Sequence, residues 1–227
     1  MIADILPAGA VAAESFGPPR YRKLLPAEAA AIATANPARR TEFAAGRAVA
    51  RAALASLDVP ACPILPGRAG EPRWPDGVVG SITHCAGYRA CAVARAQDMA
   101  AIGIDAEPCL AMAEGLLDAV AGHAERARLA ALGAAGPGMP WDRILFCAKE
   151  SVYKAWYPHT GQRPGLRSVT IQISTAGTFA AVLPGAFWAA PFPGDSAASS
   201  GAPPRARLTG RWLVSRGLIV TAVVVPR

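Results

Sequence analysis

The segment AAIGIDAEP places Asp105 and Glu107 two positions apart behind an apolar run. Successive side chains on a β-strand point to opposite faces, so on a strand both carboxylates project from the same side. Two like charges held that close repel unless a bound cation, an Arg or a Lys neutralises them. Hard carboxylate oxygens suit Mg²⁺, with Mn²⁺ as the alternative ion. Mg²⁺ takes one or two protein carboxylates and fills its other positions with water and substrate oxygens. A further acid lies in FCAKESVYKAWY, where Phe146, Glu150, Tyr153 and Tyr157 recur at helical spacing, so that Glu150 interrupts an aromatic stripe. Lys149 precedes it and Lys154 follows one turn later. Taken singly, an Asp-x-Glu pair is a common solvated strand end. Glu150 with Lys154 alone is an ordinary helical ion pair worth about 0.2–0.5 kcal/mol. Jointly, three carboxylates and two lysines make a metal site with cationic phosphate clamps, the set of groups that phosphoryl transfer requires.

These residues need elements to hold them. Residues 28–57 are Ala-rich and helix-forming, with a break at Asn36-Pro37 where one helix ends and another starts. On the second helix Phe43, Ala50 and Leu54 share an apolar face, beside a basic stripe of Arg40, Arg47 and Arg51. Pro60 to Gly77 reads as a surface loop. Val78-Val79 and Ala90 to Ala94 read as antiparallel strands around a turn at Ala86-Gly87, and a further strand ends at Pro108. Met112 to Leu132 is helical. Pro140-Trp141-Asp142 opens the helix that carries Glu150, with Asp142 as its cap. SVTIQIS, GTFAAVL and GLIVTAVVV are strands, and residues 184–206 form a Pro/Gly/Ser-rich hairpin insertion. The order helix, strands, helix, strands predicts an α+β fold of two lobes, residues 1–103 and 104–227, with a site in the cleft between them.

At 227 residues and 52% hydrophobic, the chain can bury a substantial core. Its net charge of +7 suits a polyanionic partner: a nucleotide cofactor, an acidic protein or nucleic acid. The five cysteines are odd in number and none stand as Cys-x-x-Cys, so reduced thiols are expected. The first residues lack a basic stretch and carry Asp4, which argues against a secretory signal. No apolar run reaches the roughly 20 residues of a membrane helix, so no membrane association and a cytoplasmic location are expected.

GSITHCAGYRACAVA, GIDAEP and FCAKESVYKAW resemble the signature motifs of the Sfp-type 4'-phosphopantetheinyl transferases, in particular the broad-specificity branch of mycobacteria and other actinobacteria. ARRTEFAAGRAVARAAL, GEPRWPDG and GRWLVSRGLIVTAVV extend the resemblance over nearly the whole chain. It implies two lobes related by pseudo-two-fold symmetry and a reaction in which a carrier-protein serine attacks the β-phosphorus of coenzyme A and releases 3',5'-ADP. It also implies that Asp105 and Glu107 ligate the metal, with the Ala106 backbone close to the ion and Glu150 completing the site or acting as base. Lys154 would offset charge on the bridging oxygen, and Lys149 would reach phosphate or pantetheine oxygens. Thr83 and His84, read as a turn after a strand, would meet the cofactor, and Arg39 and Arg47 would grip its phosphoadenosine end. In LPGRAGEP the family's lysine is replaced by Pro66, leaving Arg68 as the substitute phosphate contact.

The implied partners are acyl and peptidyl carrier proteins, whose acidic helices match the basic balance of this chain, with docking expected around Met112 to Leu132. A monomer suffices for the two-lobed layout. The alternative is a metal-dependent phosphodiesterase or nuclease, since the same acids serve phosphodiester hydrolysis. Nucleic-acid binding would call for stacking aromatics on a basic strand face. The chain is only 7% aromatic, and its aromatics fall mainly on the core helix and the insertion, so no nucleic-acid partner is expected. A binding module without catalysis is disfavoured because all three acids and both lysines are present.

Overall fold

The computed structural model describes residues 1–163, 165–183 and 206–227. The expected insertion therefore lies outside the described residues apart from Ala206, where a strand begins. The Asn36-Pro37 break separates α1 (Pro26–Ala31) from α2 (Pro37–Ala55). Asn36 caps α2 by accepting the Arg39 N–H at 2.9 Å, and Pro37 fills the first helical position, where no N–H is needed. The apolar face of α2 lies on a three-stranded antiparallel sheet of β1 (Ala10–Phe16), β2 (Val78–Cys85) and β3 (Tyr88–Arg95), ordered β1-β3-β2. Ala50, Ala53 and Leu54 meet Cys91 and Val93 there. The β2–β3 turn falls at Ala86-Gly87, with Gly87 at φ +74°, the left-handed region that glycine adopts without steric cost.

A second antiparallel sheet has the order β4-β8-β7-β6-β5, built from β4 (Met99–Pro108), β5 (Thr170–Ser174), β6 (Thr178–Leu183), β7 (Ala206–Ser215) and β8 (Leu218–Pro226). Two helices, α3 (Leu116–Val120) and α4 (His123–Ala135), lead from β4 to the long α5 (Trp141–Thr160). Ile144, Leu145, Ala148, Val152 and Trp156 of α5 pack on Phe179, Trp212, Ile219 and Val223. The class is α+β, as the element order predicts.

The two sheets meet where β2 runs beside β4, and side chains replace a backbone ladder there. The N–H groups of Ile104 and Ala106 donate to Ser81 Oγ (3.1 Å) and Thr83 Oγ1 (3.0 Å). Buried backbone donors need partners, and two hydroxyls of β2 provide them. On the opposite face of β4 the packing is tighter still. A Cβ on Gly103 would fall 1.9 Å from the Ser151 carbonyl oxygen and 2.5 Å from the Ala155 nitrogen of α5. Gly103→Ala should therefore push α5 off β4 and cost about 1–3 kcal/mol or more. Thermal unfolding should show a fall in Tm of roughly 5 °C or more.

Several expectations change. The boundary expected at Gly103 falls inside β4; the chain passes from one sheet to the other in the short connection between β3 and β4. Asp142 does not cap α5: its Oδ2 accepts the Met112 N–H at 2.8 Å, and Pro140 takes the cap position without a side-chain bond. The basic stripe on α2 splits, because Arg47 is buried and Arg51 is tied to the fully buried Glu28 at 2.9 Å, leaving Arg40 exposed. β1 and β7 are strands that the residue pattern did not announce.

Candidate functional site

Alternation along β4 sorts its side chains. Ile102, Ile104 and Ala106 enter a core with Tyr88, Val220 and Ala222. Gly103, Asp105 and Glu107 take the other face, toward α5. The absence of a side chain at Gly103 brings α5 close, and Glu150 and Lys154 lie one turn apart on that helix.

Lys154 Nζ lies 2.6 Å from Asp105 Oδ1, and Thr83 Oγ1 donates to the same oxygen at 3.1 Å. Thr83 thus gives its hydroxyl hydrogen to Asp105 while accepting the Ala106 N–H, which fixes the carboxylate against the strand. Thr83 and His84 are the closing residues of β2 rather than part of a turn, because the ladder to β3 runs on to Cys85. Among the described residues Asp105 Oδ2 is buried and has no oxygen or nitrogen donor, and the buried Cys147 thiol lies close to the carboxylate. Glu107 is held by Arg143, whose Nη1 donates to Oε2 at 3.1 Å. Lys154 chooses Asp105 over its helical neighbour Glu150. Among the described residues no hydrogen bond or ion pair holds the half-buried Glu150 carboxylate.

Burial, followed by the charge of Asp105, raises the carboxyl pKa of both Glu107 and Glu150, against the opposing pull of Arg143 on the first and Lys154 on the second. Burial tends to lower the Lys154 pKa, but the charge of Asp105 and the bond to it outweigh burial and raise it. The lysine is therefore charged at neutral pH.

The three acids are not gathered into a ready-made cage; among the described residues no three Asp, Glu, His or Cys side chains converge on a cation position. Their mutual repulsion is relieved by Lys154 and Arg143 instead. The donor set still fits Mg²⁺, which needs few protein ligands and takes its remaining oxygens from water and substrate. A buried carboxylate oxygen without an oxygen or nitrogen donor costs free energy unless something is bound to it. Asp105 Oδ2 is such an atom, and Glu150 and Glu107 are close enough for their charges to be felt.

A cationic end adjoins this acidic one. Arg47 stacks on Phe43 with its guanidinium carbon 4.0 Å from the ring centre, and its Nε donates to the Ile64 carbonyl at 2.7 Å. Its Nη2 is buried without a partner among the described residues. Burial lowers the Arg47 pKa to about 10, with Glu28 opposing and Arg39 and Arg51 adding to the fall, so the side chain stays charged. Arg39 is exposed at the start of α2, near enough to act on both Arg47 and His84. The His84 pKa is lowered chiefly by burial; Glu42 opposes this, while Lys154, Arg39 and Arg89 add to it. Lys154 also lines two adjoining hollows of about 370 and 170 Å³ between residues 69–82 and α5. A larger hollow of about 730 Å³ lies on the far face of the five-stranded sheet, among Ile5, Phe179, Thr209 and Val224, remote from these groups.

Two residues fall elsewhere. Arg68 is exposed on the 66–72 loop, which Glu71 braces by accepting the Ala69 N–H at 2.8 Å. Lys149, expected on phosphate or pantetheine oxygens, points into the core. Its ammonium donates to Glu125 Oε2 (2.8 Å), the Val120 carbonyl (2.8 Å) and the Leu166 carbonyl (2.9 Å), and its side chain is 0% exposed. Neighbours on a helix are turned by about 100°, so Lys149 and Glu150 take different faces, and the buried Glu125 holds the lysine inward. Lys149→Met should leave Glu125 without its counter-charge and cost about 3 kcal/mol in urea unfolding, while the KM for cofactor of the folded fraction stays unchanged. Arg143, Glu71 and Glu125 were not singled out from the sequence. Only Arg143 left a signal there, two turns before Glu150 on the same helix face.

Residues 27–94 match the family model for the 4'-phosphopantetheinyl transferase N-terminal domain, and residues 101–199 match that of the 4'-phosphopantetheinyl transferase superfamily. The 4'-phosphopantetheinyl transferase Svp of Streptomyces mobaraensis is 47% identical, over 99% of this chain and 89% of its own length. The 4'-phosphopantetheinyl transferase PptT of Mycobacterium tuberculosis is 43% identical, over 99% of this chain and 98% of its own. The 4'-phosphopantetheinyl transferase Npt of Nocardia iowensis is 42% identical, over 98% and 99%. Full-length similarity to three transferases gives no support to the phosphodiesterase alternative. Similarity of 42–47% identity over nearly the whole chain shows the family, and the chain belongs to the 4'-phosphopantetheinyl transferase superfamily.

Proposed function

We propose that coenzyme A lies with its phosphoadenosine end at Arg39, Arg47 and His84 and its diphosphate between Lys154 and the acids of β4 and α5. The observation that carries this reading is the buried Asp105 Oδ2, without an oxygen or nitrogen donor among the described residues, beside the Lys154 ammonium. Asp105, Glu107 and Glu150, with the Ala106 backbone nearby, would hold Mg²⁺ or Mn²⁺. Bound there, the ion offsets charge on the diphosphate and on the departing oxygen.

The chain's own groups do the rest. Arg47, charged despite its burial, supplies positive field to an anion held at this end of the site. Glu150, whose proton affinity is raised, takes the proton of the incoming serine directly or through a water. The serine oxygen forms a bond to the β-phosphorus as the bond to the bridging oxygen breaks, and 3',5'-ADP leaves with that electron pair. Lys154 then faces the charge developing on the bridging oxygen.

The accepting serine belongs to an acyl or peptidyl carrier protein, so that fatty-acid, polyketide or nonribosomal-peptide synthases are the systems served. The +7 net charge favours such an acidic partner, and the exposed Leu110, whose carbonyl is held by the same Arg143 that holds Glu107, provides apolar contact. The two-lobed layout needs no second copy, and the proposed enzyme acts as a monomer. No helix among the described residues is long and apolar enough to cross a membrane, in keeping with a proposed cytoplasmic setting. Intact-mass measurement of apo carrier proteins incubated with the enzyme, Mg²⁺ and coenzyme A should show one added phosphopantetheine per carrier. Unchanged carriers across fatty-acid, polyketide and peptide types would refute the reading.

A further inference from the structure

We infer that Arg143 is a positioning residue that ties the loop of residues 109–112, where the carrier protein meets the enzyme, to the acid pair on β4. This rests on the functional reading above. Its guanidinium uses all three nitrogens on two neighbouring stretches of chain. Nη1 donates to Glu107 Oε2 at 3.1 Å, Nε to the Leu110 carbonyl at 3.1 Å and Nη2 to the Ala111 carbonyl at 3.3 Å. The preceding residue completes the grip, because Asp142 Oδ2 accepts the Met112 N–H at 2.8 Å. The first turn of α5 thus fixes a loop that has no regular secondary structure of its own.

Leu110 sits at the crest of that loop with 68% of its surface exposed, the highest among the exposed large hydrophobic residues of the described chain. A serine that must reach the cleft beside Glu107 brings its protein down over this rim, so Leu110 is covered when the carrier docks. Holding the loop in advance removes the ordering cost that binding would otherwise bear. A planar fork is needed for this task. A lysine could keep one ion pair with Glu107 but could not reach two carbonyls at fixed angles as well.

Four proteins are compared: wild type, Arg143→Lys, Leu110→Ser and the double variant. Arg143→Lys should raise the KM for an apo carrier about tenfold or more, the worth of one lost charge-assisted hydrogen bond, and leave the KM for coenzyme A unchanged. Hydrogen exchange at the Met112 amide should speed up in Arg143→Lys, with the core amides of α5 still protected, which separates loop release from unfolding. Leu110→Ser should raise the same carrier KM, and the double variant should fall short of the product of the two effects, since both act on one surface. An unchanged carrier KM, an equal rise in both KM values, or fully additive effects would overturn the role of Arg143. Those results with an active wild type would leave the transferase reading standing, whereas a wild type that modifies no carrier would overturn both.

Discussion

Asp105→Asn is expected to lower phosphopantetheine transfer by about 10²–10³-fold at saturating Mg²⁺ while the protein stays folded. The substitution keeps the shape of the side chain and an oxygen for the Thr83 hydroxyl, so the strand contact at Ala106 survives. What disappears is the negative charge. A neutral amide is a poor ligand for a hard cation and leaves the Lys154 ammonium with its helical neighbour Glu150 as the nearest acid. Electrostatic stabilisation of a transferring phosphoryl group is worth several kcal/mol, and one lost ligand removes a large share of it. The stability cost should be smaller, because Lys154 is 27% exposed and water can solvate it in part. Initial rates of carrier modification, read beside a thermal melt of the same sample, separate the two effects. Near-normal turnover at saturating Mg²⁺ would remove Asp105 from the site.

Glu150→Gln should lower kcat by about 10²–10⁴-fold, the range for loss of a general base, with coenzyme A still bound. The amide preserves size and helix propensity and abolishes basicity. Glu150 suits the role because burial and the neighbouring Asp105 raise its affinity for a proton, and because no protein donor competes for its oxygens among the described residues. Calorimetric titration with coenzyme A should give an affinity near that of the wild type, so that the loss resides in the chemical step. Unchanged turnover would exclude Glu150 as an essential base.

Much of the site was legible because its signals are local. Two-residue spacing puts Asp105 and Glu107 on one face of β4, and four-residue spacing puts Glu150 and Lys154 along one side of α5. The Asn36-Pro37 break is likewise written in its own residues. Pairing across the fold was not. A helical rule links Lys154 to Glu150, yet the structure gives it to Asp105, 49 residues away in sequence, because the buried acid offers the stronger field. Lys149 and Glu150 are adjacent in sequence, and only the presence of Glu125 in the core shows why the lysine turns inward. β1 escaped because AVAAESF consists largely of small residues that are only half buried, so strand alternation leaves little contrast in hydropathy. The break between sheets was misplaced because β4 reads as one uninterrupted apolar run, and Gly103 within it serves helix packing rather than a hinge.

Crystals grown with Mn²⁺ and coenzyme A, measured at the manganese absorption edge, test the site most directly. An anomalous peak should stand within coordination distance of Asp105 Oδ2 and of a cofactor diphosphate oxygen, with Glu150 beside it. A peak elsewhere, or diphosphate bound while Asp105 Oδ2 remains without a partner, would contradict the proposed metal site.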